Sequence, residues 1–220
     1  MESHTNPIIV QSDLSVLLEV DNPLYEEARD GLAQFAELVK SPEHIHTYRI
    51  TPLSLWNAAS AGMAAEEMIG VLERFGKYAV PESVRQEILD AVARYGLLKL
   101  ERRGDLLALT STDPILLDEV LSYDQARALL GPRLDSHTIH VNPAHRGHVK
   151  QALIKIGYPV EDLAGYVTGD PLAVHLRDRT LAGVPFSLRD YQRQAVGTFY
   201  AGGSARGGSG VIVLPCGAGK

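Results

Sequence analysis

The residues best suited to chemistry stand at the end of the 220-residue sequence. There a short apolar run, Val211, Ile212, Val213 and Leu214, leads into Pro215-Cys216-Gly217-Ala218-Gly219-Lys220. Glycines in such a turn let the backbone approach a phosphate and aim successive amides at it, and the Lys ammonium reaches the outer phosphates. A buried strand followed by a glycine-rich turn is the setting a phosphate-binding loop requires. The turn departs from G-x-x-x-x-G-K-[ST] twice: Leu214 occupies the first glycine position, and no Ser or Thr follows Lys220 to hold magnesium. The second departure leads us to expect an incomplete portion of a longer protein. A plain surface loop is the competing reading. Cys216 offers its amide rather than its thiol, because no His stands near it in sequence to act as a base.

A second constellation lies upstream, where Leu188-Arg189-Asp190-Tyr191-Gln192 opens an apolar-striped helix expected to run to about residue 200. Ser187 and Asp190 are spaced as a capping box, and Leu188, Tyr191, Ala195, Val196 and Phe199 form the inward stripe. A carboxamide presents one donor group beside one acceptor, which suits an adenine edge. Leu-Arg-x-Tyr-Gln resembles the Q motif of superfamily 2 helicases, and that resemblance implies an adenine contact for Gln192. A solvated surface Gln is the ordinary alternative.

Basic side chains form the third group. Arg146 and Lys150 stand four apart on a helix capped by Asn142-Pro143, so they share a face, expected to be the outer one. Residues 171–177 alternate Leu172, Val174 and Leu176 with Ala173, His175 and Arg177, the pattern of a strand that sets His175 beside Arg177 on its outward surface. These four are candidates for sequence-independent phosphate contacts, or else make a solvated basic face. His137, His140, His145 and His148 are spaced H-x2-H-x4-H-x2-H, but no Cys joins them, and no metal site is assigned.

The elements that must position these residues follow from periodicity and caps. Residues 7–20 alternate as a hairpin. A helix from Asn22-Pro23 carries Leu24, Ala28, Leu32, Phe35 and Val39 at helical spacing. A strand over residues 44–50 leads through Thr51-Pro52 into three helices, near 52–62, 64–75 and 81–95, and then a hairpin about Arg102-Arg103-Gly104-Asp105. Three helices and a hairpin outline a winged helix. Its third helix exposes Glu82, Glu87 and Asp90 against Arg85 and Arg94, a surface that repels phosphate, so a protein-contacting or structural role outweighs DNA reading. Two short helices follow, and Gly131-Pro132 is the expected domain boundary. Beyond it, a strand near 137–141 and a helix with Val149, Ala152, Leu153 and Ile156 on its core face begin a small α/β unit.

Charge divides the chain at the same place. Residues 1–130 hold 11 Lys/Arg against 21 Asp/Glu, and residues 131–220 hold 10 against 6. Polyanion contacts are therefore expected after residue 130. One Cys and a mean hydropathy of -0.05 exclude a disulfide scaffold and argue against disorder. Neither a membrane-length apolar run nor a signal-peptide pattern is present, and a cytoplasmic protein is expected.

The stretch 186–220, with LRDYQ and then GSGVIVLPCGAGK, resembles the start of the first motor domain of the XPB helicase family. IVQSDLSVLLEV, SPEHIHTYRITPLSLWNAAS and HTIHVNPAHRGHVKQALIKIGYPVEDLAGYVTGDPLAVHLR are similar to the amino-terminal portion of bacterial members. The resemblance implies an α+β, winged-helix-like amino-terminal domain over 1–130, a small α/β damage-recognition-like domain over 131–180, and the first elements of a RecA-like α/β motor over 181–220. It implies ATP and Mg2+ as cofactors of the whole protein, with Arg189 and Gln192 at the adenine end and Cys216, Gly217, Ala218, Gly219 and Lys220 at the phosphates. Duplex or forked DNA, and a structure-specific nuclease or repair-complex subunit, are the implied partners. The catalytic acid and arginines would lie past residue 220, so this portion should not hydrolyse ATP. The other reading is a stand-alone protein-interaction module with a phosphate-loop remnant.

Overall fold

A computed structural model describes residues 5–165, 170, 172–204 and 212 of the chain. Among these residues the fold is mixed α/β, with two sheets. In the first sheet, β1 (Ile8–Val10) and β2 (Ser15–Glu19) form the expected antiparallel hairpin. The alternation buries Val16 and Leu18.

Helix α1 (Tyr25–Leu32) starts where Asn22 Oδ1 accepts from the Leu24 amide at 2.9 Å. It is shorter than its apolar spacing suggested. Ala36 N–H closes the last turn on Leu32 O, Phe35 enters the core just after the helix, and residues 37–40 become strand β3 (Glu37–Lys40). Val39 is thus not a core helix position. Antiparallel pairing with β4 (Ile45–Arg49) supplies the backbone partners that overrode a coincidental helical spacing. The strand order is β1-β2-β4-β3.

Thr51 caps α2 (Pro52–Ser60) through a reciprocal box, its hydroxyl accepting from Ser54 N at 3.1 Å while its own amide donates to Ser54 Oγ at 3.0 Å. Helices α3 (Ala65–Phe75) and α4 (Glu82–Ala93) follow. Leu32, Phe35, Leu55, Met68, Leu72 and Ile88 close the first core against Val16 and Leu18.

The second sheet takes in the next hairpin, β5 (Leu98–Arg103) and β6 (Leu106–Ser111). Then come α5 (Pro114–Ser122), α6 (Asp124–Arg127), β7 (Leu130–Asp135), β8 (Thr138–Val141), α7 (Arg146–Lys155) and β9 (Val160–Asp162). The order β7-β8-β6-β5-β9 ends in a parallel β5–β9 pair. Leu98, Leu100, Leu109, Ile139 and Val141 make one face of this sheet, which packs on Leu117, Val120, Val149 and Leu153. Gly131 and Pro132 therefore correct the expected boundary: they lie within β7, hydrogen-bonded into the same sheet as the hairpin at 98–111. A Cβ at residue 131 would come within 2.7 Å of His140 Nδ1 and 3.1 Å of His140 O, so any larger residue there has to displace the His140 ring. Pro132 fits because β7 is an edge strand.

The strand expected over 171–177 is also corrected, since the described residues 172–177 form no strand. Alternation alone does not make a strand when no neighbour accepts its backbone bonds. A local turn follows, in which Phe186 N–H reaches Asp178 O at 2.9 Å. Helix α8 (Asp190–Tyr200) then forms as expected, but none of its residues is buried among the described part of the chain. The expected strand at 211–214 and the turn at 216–220 fall outside the described residues, apart from Ile212. Among the described residues, no helix is long and apolar enough to cross a membrane.

Candidate functional site

The basic pair on α7 does not form an outer face. Arg146 clamps Asp162 with two parallel bonds, Nε to Oδ2 at 2.9 Å and Nη2 to Oδ1 at 2.7 Å, and its Nη1 donates to Gly165 O at 2.6 Å. Lys150 Nζ reaches the same carboxylate at 3.1 Å. The planar guanidinium matches the carboxylate edge, so the three side chains tie α7 to β9 as a unit. Burial pushes the Asp162 carboxyl up, but the hydrogen bonds from Arg146 and Lys150 outweigh it and hold the group below its ordinary value. Spacing correctly put Arg146 and Lys150 on one face. It could not show that Asp162 stands opposite, because that contact depends on β9 pairing with β5.

His175 and Arg177 lie in the exposed irregular stretch that precedes the turn at 178–186. They are not brought to a common strand surface. Arg189 and Gln192 do meet at the start of α8: Arg189 N–H donates to Gln192 Oε1 at 3.0 Å, so the Gln side chain caps its own helix. Ser187 is not the cap residue that spacing suggested. Asp190 instead pairs with Arg193 at 2.6 Å. Cys216, Gly217, Ala218, Gly219 and Lys220 lie outside the described residues.

Of the histidines, His137 contacts Ser111 O through Nδ1 at 3.0 Å, while the His145 and His148 rings meet edge to face at 6.4 Å. His137 is thus engaged with the β6 end, and His145 with His148 at the start of α7.

Sequence reasoning missed a polar hollow on the open face of the second sheet. Lys99, Glu101 and Arg103 project from β5 beside Thr110 of β6 and His137, around a volume of about 450 Å³. Arg103 Nη1 donates to Thr138 Oγ1 at 3.0 Å, and Thr110 Oγ1 donates to Glu101 at 3.1 Å. Each side chain here is already engaged with its neighbour, and the charges are mixed, so the hollow has no pronounced preference for an anion. The alternation in LKLERR, apolar at 98 and 100 and charged at 99, 101 and 103, was the signal that could have found it.

Comparison with known proteins bears out the family resemblance. A DNA 3'-5' helicase XPB of Mycobacterium tuberculosis is 50% identical over 97% of this chain, and one of Kineococcus radiotolerans is 48% identical over the same share. The chain spans 37% of the length of each. A general transcription and DNA repair factor IIH helicase/translocase subunit XPB of Antonospora locustae is 31% identical over 100% of the chain and 32% of its own length. The family model described as helicase conserved C-terminal domain matches residues 8–135, which cover the first sheet, helices α1 to α6 and the β5–β6 hairpin. With more than half of its residues inside that model and nearly its full length alike to the bacterial sequences, the chain belongs to the helicase conserved C-terminal domain family and is a homologue of the XPB helicases.

Proposed function

We propose that the chain is part of an ATP-dependent DNA 3′ to 5′ helicase or translocase of the XPB type, acting in DNA repair in the cytoplasm. The observation that carries this reading is likeness over 97% of the chain to bacterial proteins named for that activity. The residues before 181 supply the amino-terminal and damage-recognition-like regions, which meet in the second sheet rather than part at Gly131, and 181–220 are the opening of a RecA-like motor. Gln192 and Arg189 hold the adenine end of ATP, while Cys216, Gly217, Ala218, Gly219 and Lys220 cradle its phosphates, with Mg2+ bound when the protein is whole. Adenine binding asks Gln192 to exchange its contact with the Arg189 amide for the base, a trade of one hydrogen bond for another.

DNA contact falls first to His175 and Arg177, whose side chains stand in the exposed stretch. Arg146 and Lys150 would contact phosphate only in competition with Asp162. By itself this portion binds or regulates and does not turn over ATP. A repair-complex subunit or nuclease is the partner class.

The test uses a protein of the full length of the relatives. DNA-stimulated ATP hydrolysis lost on Lys220→Ala is expected, and unchanged turnover in that variant overturns the reading. Salt-sensitive duplex binding that weakens in Arg177→Ala checks the DNA assignment, and binding equal to the parent protein removes it.

A further inference from the structure

The acidic helix α4 does more than repel phosphate, because it forms one lip of a cleft of about 790 Å³. Pro52, Leu53 and Trp56 of α2 form the opposite wall, and the end of α7 with Ile154 and Lys155 closes the far side. The floor is apolar. Trp56, the one tryptophan of the chain, is buried beneath it and donates Nε1–H to Ala91 O at 2.8 Å, so its polar atom is satisfied and its ring is left for packing. Leu53 is 45% exposed and Ile154 36%, both beside the cleft, where an isolated large apolar side chain would gain by being covered.

Charge decides what can cover it. Glu87 and Asp90 sit three apart on the α4 lip. Asp90 accepts from the neutral Gln86 amide at 2.8 Å, and neither Asp90 nor Glu87 has an ion-pair partner among the described residues. Arg85, the cation on the same helix, is paired instead with Glu73 and Glu82 and does not line the cleft. At the other end stand Lys155 and Arg94, the latter packed over the Tyr158 ring at 5.8 Å.

From this arrangement we infer that the cleft is a docking groove for one amphipathic helix of a partner protein, apolar side chains down and Lys or Arg along the α4 lip. The axial order follows from the far end: a helix whose carboxyl end points at Lys155 and Arg94 sets the negative end of its dipole against two cations. The same carboxylates disfavour nucleic acid along the α4 lip. The mode is helix in groove, with anchors about one turn apart. It holds whether or not the whole protein proves to be an ATP-driven helicase.

Trp56 provides the readout. Two synthetic amphipathic peptides of about 16 residues, some 24 Å of helix, share one leucine stripe and carry either Lys or Glu on its flanks. Titrated into the 220-residue chain, the Lys peptide shifts Trp56 emission and binds at least about tenfold more tightly than the Glu peptide. Glu87→Lys with Asp90→Lys reverses that preference, Leu53→Asp weakens the Lys peptide about tenfold or more, and Glu43→Lys, a single charge reversal at an exposed bend outside the cleft lining, leaves it unchanged. Equal binding of both peptides, an unmoved Trp56 signal, or equal loss in Glu43→Lys overturns the proposal. Self-association of the chain that Leu53→Asp abolishes, seen by sedimentation without peptide, overturns it in favour of a second copy.

Discussion

Strands β5, β6 and β8 and the stretch 172–176 carry apolar side chains at period two and meet opposite fates. Leu98, Leu100, Leu109 and Ile139 are fully buried, while Leu176 is 64% exposed, and Leu181 in the turn that follows is 92% exposed. The first set sits on strands whose backbone groups are paired on both sides, and the second has no pairing strand among the described residues. Alternation states which face a strand would bury. It does not say that a partner is present.

That contrast is sharpest in equivalent truncations. Leu109→Ala should cost about 3 kcal/mol of unfolding free energy, because it removes a buried side chain and leaves a cavity. Leu176→Ala in the same chain should stay within about 0.5 kcal/mol. Urea denaturation of both variants checks this, and similar losses would mean that the stretch at 172–177 is packed after all.

The ion cluster gives the next largest effect. Asp162→Ala leaves Arg146 and Lys150 half-buried without their carboxylate and should cost about 2 kcal/mol, whereas Asp178→Ala in the exposed turn should cost little. The cluster also predicts a pH response. Asp162 titrates below its ordinary value when folded, so its contribution is complete above the unfolded value of about 4 and is lost as pH falls through the lower folded value. The acid limb of thermal stability should therefore flatten in Asp162→Asn, and an unchanged acid limb would assign acid sensitivity to another group.

Smaller effects separate the two capped helices. Thr51→Ala removes one half of the box at α2 and should cost about 1 kcal/mol by calorimetry. Gln192→Ala removes the contact at α8, a helix with no buried residue among the described ones, and should leave the calorimetric midpoint unmoved. A shift in the second equal to the first would show that α8 belongs to the cooperative core.

Much of the fold was legible in the residues. The hairpins, the Thr51-Pro52 start of α2, the Asn142-Pro143 turn before α7 and the limits of α3 and α4 each rest on interactions within a few positions, which a linear pattern records. The helix at 25–32 was overextended because Phe35 and Val39 happen to continue its spacing, while β4 was the stronger partner for 37–40. At the candidate site, the pairing of Arg146 with Lys150 was legible and their orientation was not.

What the sequence determined by itself is local: which segments can be helix or strand, where they are capped, and which motif residues, Gln192 and the glycine-rich turn among them, could serve a nucleotide. Tertiary structure alone decided that Gly131 lies inside a sheet, that Asp162 meets Arg146 and Lys150, and that α2, α4 and α7 enclose a groove around Trp56. Each of those outcomes depends on contacts between residues far apart in the chain, such as the parallel pairing of Leu98 with Val160. Such contacts form only when a whole face is buried, and no short-range spacing encodes them.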